Sequence, residues 1–321
     1  MRVLITSAGR RTSLVAGFRD AAQDYGGSVL AADADPLAPG LFAADHGVVL
    51  PRLTSPAYDS HLLGICEEFE VGLVVPTIDT ELPVLARLSS RMTAMGTVAL
   101  VSDLSLIEVS ADKAKTEEVF AAAGIRTPRS WTIPETDIAE LPDRVFIKPR
   151  AGSASVDVHL VSRDEVLSAA SLVTDPIVQE YVDAAEITVD ALLDMDGRVI
   201  HLVPRLRLKT VGGESVQGVT LPDESIRAWL LDVLDVVGGL GGRGPITVQA
   251  FLTEDSPTLV EVNPRFGGGF PLALRAGGDY PRWILQMTRG EFVAPRIGEY
   301  TKGLFMTRSL TEVFVDPTET T

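Results

Sequence analysis

Cysteine is nearly absent from this chain of 321 residues: Cys66 stands alone, so no internal disulfide and no cysteine-rich metal cluster can form, and its apolar neighbours read as core. Histidine is almost as scarce. His46, His61, His159 and His201 are scattered without metal-ligand spacing, which sets zinc chemistry aside. Positive charge is also in short supply: 28 Lys and Arg against 44 Asp and Glu leave a net charge of -16, whereas a protein that neutralises a phosphate backbone needs a basic face. A nucleic-acid partner is therefore not expected. No apolar run approaches the ~18 residues of a membrane span, and the opening MRVLITSAG is broken by polar residues too soon for a secretory signal. The expectation is a cytoplasmic protein with no membrane contact. What is present is ordinary: 45% hydrophobic and 22% charged residues, the balance of a folded chain long enough for two or three packed units.

Strand and helix signals alternate through the first hundred residues. Strands are expected at 3–6, 28–32, 47–50, 73–75 and 98–101, and helices over 58–70, 81–92 and the stretch carrying Leu14, Val15, Phe18, Ala22 and Tyr25. Such alternation implies a doubly wound parallel α/β sheet, whose ligands bind at the carboxyl ends of the strands. The loops 7–11, 33–36 and 77–81 are thus substrate candidates, with Arg10, Asp79 and Glu81 as their chemistry-bearing residues. TSAGRRTS, residues 6–13, lacks the full Gly-x-Gly-x-x-Gly pattern, which weakens a Rossmann-type oxidoreductase. A helix over 111–123, closed by Gly124, opens a second region. Beyond it, strands at 145–148, 156–161, 177–180, 187–193, 199–203, 246–252 and 258–262, with a helix over 225–237, read as antiparallel sheets in an α+β arrangement. The glycine-rich run 238–244 reads as a mobile loop. Three units are expected: 1–105, 106–184 and 185–321.

The densest chemical signal is LVEVNPRFGGG, residues 259–269. Side chains two apart in a strand share a face, so Glu261 and Asn263 offer two oxygens to a hard cation such as magnesium, with manganese as a substitute. Arg265 follows on the same side, and Gly267, Gly268 and Gly269 leave backbone N–H groups open to an anion. An edge strand ending in a glycine turn would also fit. Gln249 is placed to be a third oxygen ligand or a structural hydrogen-bonding partner. VFIKPRAGSAS, residues 145–155, ends a strand at Lys148, whose charge suits phosphates, and continues into Gly152, Ser153, Ala154 and Ser155, a loop that phosphates could approach closely unless it is a plain hairpin turn. In VQEYVDAAEITVDAL, residues 178–192, a crossing at Glu180, Tyr181 and Val182 offers backbone groups to a purine, and Glu186 offers a carboxylate to ribose hydroxyls; an interdomain hinge is the alternative. Arg205, Arg207 and Lys209 alternate along another strand, which suits a substrate carboxylate, the phosphates or a solvated face.

With SADKAKTEEVFAAAGIRTP ahead of them, these segments and ITVQAFL stand in an order that resembles the ATP-grasp superfamily, most closely the branch of the carbamoyl-phosphate synthase large subunit and the pyrrolysine-biosynthesis ligase. The resemblance implies an N-terminal pre-ATP-grasp α/β domain followed by a two-subdomain ATP-grasp fold. It implies Lys113 and Lys148 on the phosphates, Glu180 to Val182 on adenine, Glu186 on ribose, Gln249, Glu261 and Asn263 on magnesium, and Arg265 on the transferring phosphoryl group. The implied activity is an ADP-forming carboxylate-amine ligase that makes an amide through an acyl phosphate, with Arg207 or Lys209 at the substrate and amino acids as the expected carboxylate and amine; a homodimer is left open. Carbamoyl-phosphate-synthase-like or biotin-carboxylase-like activation of bicarbonate, or ATP binding without catalysis, are the alternatives. A single ATP-grasp unit, no ammonia-producing domain and no biotin-carrying segment count against the first two.

Overall fold

The structure is a computed structural model that describes residues 1–133, 136–152, 157–211, 214–254 and 256–315. Its first layer is a five-stranded parallel sheet in the order β3-β2-β1-β4-β5, built from β1 (Arg2–Thr6), β2 (Ser28–Asp33), β3 (His46–Val49), β4 (Val71–Pro76) and β5 (Val98–Ala99). Pleating sorts β1 onto two cores. Val3 and Ile5 join α1 (Thr12–Gln23) on one face, and Leu4 joins α3 (Tyr58–Glu68) and α4 (Leu82–Ala94) on the other. Because β1 pairs with β2 on one side and β4 on the other, the strand order reverses there. The loops after β1 and β4 therefore flank a crevice at the sheet's carboxyl edge.

Two antiparallel sheets follow. The smaller runs β6-β9-β7-β8, from β6 (Ser130–Thr132), β7 (Arg144–Pro149), β8 (His159–Ser162) and β9 (Pro176–Glu180), over a core of Val145, Ile147, Val166 and Val178. The larger runs β14-β13-β10-β11-β12-β15, from β10 (Ala185–Leu193), β11 (Val199–Val211), β12 (Glu214–Thr220), β13 (Gly244–Leu252), β14 (Thr258–Asn263) and β15 (Phe305–Thr307). One face of this sheet buries Ile187, Val189, Val248 and Val262 against α8 (Arg227–Gly239). Leu192, Ile200 and Val203 join α1 and α10 (Tyr280–Thr288) in the core of the N-terminal unit, so apolar packing runs continuously from the first sheet into the largest.

Several sequence expectations need correction. The helix expected over 111–123 is α6 (Lys113–Ala122), but a helix the sequence did not announce, α5 (Leu104–Ala111), precedes it, and Asp112 parts the two, its carboxylate accepting from Ala114 N and Lys115 N as the N-cap of α6. The run 238–244 is not a free loop. Gly238 lies where a side chain would overlap Gly197, and Gly242 leaves room for Val237, so this run is a close-packed junction between α8 and β13. The basic strand is the second half of one long β11, and β6, β12 and β15 are strands that the hydrophobic pattern did not announce. Val156, expected to open a strand, lies outside the described residues. No helix among the described residues is long and apolar enough to cross a membrane.

Candidate active site

The larger sheet turns a polar face upward because its strands alternate. Register pairs Glu261 with Gln249, Gln249 with Thr188, and Thr188 with Arg205, so these four form a row straight across β14, β13, β10 and β11. Two residues along, Asn263, Thr247 and Asp190 form a second row. Both rows lie opposite the valines and isoleucines that face α8. Above this floor stand the end of β7, the start of α6, and the loops after β1 and β4. Together they enclose a cleft of about 690 Å³, inside the range of ~300–1,000 Å³ usual for small-molecule sites.

Lys148, 8% exposed, enters the cleft from β7 and donates to Gln179 Oε1. Burial, helped by the neighbouring Lys113, lowers its ammonium to a pKa of about 8, with Glu261 opposing. Lys113 is the first residue of α6 and donates to Gly152 O at 2.9 Å. Its pKa is lowered by burial, with Glu261 and Asp112 opposing. Glu261 is raised by burial and by Asp79, against Lys113 and Arg265. Lys148 and Glu261 thus face one cleft from two sheets, as the sequence requires. Gly152 lines it as well; Ser153, Ala154 and Ser155 lie outside the described residues.

Gln249 donates to Glu186 Oε1 at 2.9 Å and turns its own carbonyl oxygen toward Asn263. Glu261, Gln249 and Asn263 lie side by side on β13 and β14, with a single carboxylate among them; Asn263 Nδ2 donates to Gln249 Oε1 at 3.5 Å and its Oδ1 accepts from Arg265. That donor set fits magnesium, which keeps several waters and takes the rest of its shell from phosphate. Glu186 also receives Arg207 Nη1, so the expected ribose carboxylate is held between Arg207 and Gln249. Glu180 lines the cleft and accepts from Arg129 N; Tyr181 and Val182 follow it in the crossover to β10, and the Tyr181 ring stands against Phe146, itself a wall of the cleft.

Arg265, 13% exposed, donates to Asp79 Oδ2 at 2.7 Å and to Asn263 Oδ1 at 3.2 Å. This joins the end of β14 to the loop after β4, and Arg10 and Asp79 line the cleft on that side. Glu81 does not. It is fully buried beneath the loop after β1, accepting from Tyr58 and from Ser7 Oγ at 3.0 Å, and burial raises its pKa against those hydrogen bonds. Its role is to hold that loop, because it precedes α4 and points back into the sheet. Lys209 is a second correction. The register of β11 and β12 slips on both sides of it, the alternation with Arg205 and Arg207 breaks, and Lys209 is exposed outside the cleft lining.

Sequence reasoning passed over one feature. Arg205 and Asp190, each 3% exposed, form a buried ion pair through Nε and Oδ2 at 2.8 Å. The pair stands against the glycine loop. A side chain on Gly267 would come within 2.9 Å of Asp190 Oδ1, and one on Gly269 would overlap the Arg205 guanidinium. The signal was an aspartate inside the apolar run ITVDALL, since a buried charge requires a partner. Arg308, from the segment after β15, donates to Gly268 O, and nothing in its local sequence pointed there.

Two family models match the chain. Residues 3–100 match the model described as PylC-like, N-terminal domain, and residues 173–311 match the model described as ATP-grasp in the biosynthetic pathway with Ter operon. Residues 173–311 are thus an ATP-grasp region. Phosphoribosylamine–glycine ligase of Mycobacterium leprae is 26% identical over 312 residues, covering 83% of this chain and 68% of its own length. D-alanine–D-alanine ligase of Corynebacterium jeikeium is 27% identical over 233 residues, covering 60% of this chain and 61% of its own. Among solved structures, the biotin carboxylase domain of Hydrogenobacter thermophilus 2-oxoglutarate carboxylase, in complex with MgADP and bicarbonate, superposes with a TM-score of 0.75 at 17% identity, over 95% of this chain and 73% of that one. L-amino acid ligase of Bacillus licheniformis does so with 0.70 at 21% identity, over 92% and 77%. At such identities these two likenesses show the ATP-grasp fold alone.

Proposed function

We propose that this ATP-grasp protein is a carboxylate-amine ligase that forms an amide through an acyl phosphate and releases ADP and phosphate. The observation that carries the reading is that Lys148 of the small sheet and Glu261 of the large sheet line one cleft, with Arg265 beside Asn263 in the same lining. The first step brings a carboxylate against a triphosphate. Two unit charges 4 Å apart repel by about 4 kcal/mol at an effective dielectric of 20, so the wall must supply fixed cations. Lys148 and Lys113 hold the phosphates on the small-sheet side. Glu180 to Val182 receive the adenine and Glu186 the ribose. Glu261, Gln249 and Asn263 hold magnesium, which when bound offsets phosphate charge.

A substrate carboxylate oxygen then attacks the γ-phosphorus in line, and the bond to the β-phosphate oxygen breaks with its electron pair on ADP. Arg265 stabilises the equatorial oxygens as charge spreads over them. The backbone of Gly267 and Gly268 and the side chain of Arg207 border the acyl group. An amine attacks the acyl carbon and phosphate leaves. The names of the phosphoribosylamine–glycine, D-alanine–D-alanine and L-amino acid ligases support amino acids as the substrates to try first.

The experiment is a screen of amino acids, small carboxylates and bicarbonate, alone and in pairs with amines, for substrate-dependent release of ADP and phosphate. A carboxylate and an amine that together drive release, with an amide of the summed mass, are the expected result. Release of AMP and pyrophosphate, or release driven by bicarbonate alone, would overturn the reading.

A further inference from the structure

Among the described residues, four carboxylates line the cleft: Asp79, Glu180, Glu186 and Glu261. All four have partners, Asp79 in its ion pair with Arg265. Glu261 belongs to the metal row, Glu186 is gripped by Arg207 and Gln249, and Glu180 accepts from the backbone of Arg129 at the crossover. Asp79 differs in position and in partner. It comes from the loop after β4, at the point where the parallel sheet reverses its strand order, and its side chain is about as exposed as that of Glu186. Its Oδ2 touches Arg265, the residue that faces the transferring phosphoryl group. Anything cationic held by Asp79 is therefore one guanidinium away from the acyl phosphate.

Arg10 and Arg11 line the same wall, and Arg11 Nη2 lies 3.5 Å from Thr77 O, two residues before Asp79. An anion beside two arginines and a cation beside one aspartate describe a molecule that carries both charges. We propose that Asp79 binds the ammonium of the amine substrate and takes its proton, and that Arg10 and Arg11 hold an anionic group, carboxylate or phosphate, on that same substrate. The inference rests on the ligase reading above and names the substrate class of its second half. As Arg265 turns to the phosphoryl group, Asp79 loses its cation and the incoming ammonium replaces it. One ammonium proton passes to Asp79. The nitrogen lone pair forms the C–N bond, the bond from the acyl carbon to phosphate oxygen breaks with its pair on phosphate, and the second N–H proton leaves on hydrogen phosphate.

Asp79→Asn keeps the shape of the side chain and its acceptor for Arg265 while removing the charge and the base. Wild type and variant are compared with two kinds of nucleophile at saturating ATP and carboxylate. Amines are drawn from the twenty L-amino acids, ethanolamine and O-phosphoethanolamine; hydroxylamine, neutral near pH 7, needs neither an anchor nor a base. In the variant, amide formation falls by about 100-fold or more, while trapping of the acyl phosphate as hydroxamate falls by no more than about threefold. Asp79→Glu recovers part of the amide rate. Arg10→Ala and Arg11→Ala raise the KM for the anionic amine about tenfold with kcat little changed, and whether an amino acid or O-phosphoethanolamine is the better wild-type substrate identifies the anion.

Equal loss of amide and hydroxamate in Asp79→Asn would reduce Asp79 to a support for Arg265, and undiminished amide formation would remove it from the reaction. A preference of the wild type for ethanolamine over every anionic amine would overturn the assignment of Arg10 and Arg11. Carboxylate-dependent ADP release with hydroxamate trapping but no turnover with any amine would sink this inference and leave the first half-reaction standing. Absence of both would sink the ligase reading itself.

Discussion

The end of the cleft proposed for the nucleotide and the end proposed for the acceptor are assembled from different material. Lys113, Lys148, Glu186, Gln249, Glu261 and Asn263 each sit in a strand or helix start with its own local pattern, and the pairing of β13 with β14 brings the last three together in two adjacent rows. At the acceptor end the groups come from loops of one sheet and from strands of another and the turn after them, and they neutralise each other in pairs: Arg265 with Asp79 across the sheets, and Arg205 with Asp190 under the glycine loop. The first end is preorganised by backbone pairing. The second is held by ion pairs, one fully buried and one open to the cleft, and only the open one can exchange partners with a ligand.

That contrast is easiest to break where the two ends meet, at the phosphoryl site. Glu261→Gln or Arg265→Ala is expected to cut substrate-dependent ADP release by about 10³-fold or more, with the thermal transition of the protein retained. Full ADP release from either variant would remove that residue from the phosphoryl site. The two acceptor-end pairs should separate next. Asp190→Asn strips a buried partner from Arg205 and is expected to cost about 3–5 kcal/mol, read as a lower urea midpoint. Asp79→Asn, in a pair that water reaches, should move the same midpoint by less than about 1 kcal/mol. Equal shifts would show that the pairs do not differ as their burial implies.

A smaller effect is expected from pH. Lys148 is charged below its pKa of about 8 and loses that charge as pH rises through it. The kcat/KM for ATP in the free enzyme should therefore fall between pH 7 and pH 9, by up to about tenfold. Lys148→Arg, charged throughout, should flatten that limb of the profile. The smallest effect belongs to Lys209→Ala, expected to change turnover by less than about twofold because the side chain lies outside the cleft; a loss comparable to that of Arg265→Ala would restore Lys209 to the site.

Local pattern carried much of the nucleotide end. Alternation in LVEVN put Glu261 and Asn263 on one face, and a strand stopped by Pro149 put Lys148 at its mouth. Where the reading failed, a longer-range event had intervened. Lys209 left the face of Arg207 because register slipped against β12, which depends on a strand the sequence did not announce. Glu81 shares a loop with Asp79 but turns inward, and only the positions of Tyr58 and Ser7 decide that. The glycines of 238–244 read as freedom when met singly; packed against Gly197 and Val237 they are the absence of side chains where two elements touch.

The sequence by itself determined the parallel sheet, the antiparallel sheets after it and the residues here proposed for phosphate and metal, because periodicity and capping act over a few residues and are written in order along the chain. The tertiary structure decided which charges face one another. Asp79 and Arg265 are 186 residues apart, and Arg308 reaches Gly268 from the far end of the chain. Such pairings follow from how three sheets pack around a shared cleft, and packing is a property of the assembled surface that no short stretch of residues encodes.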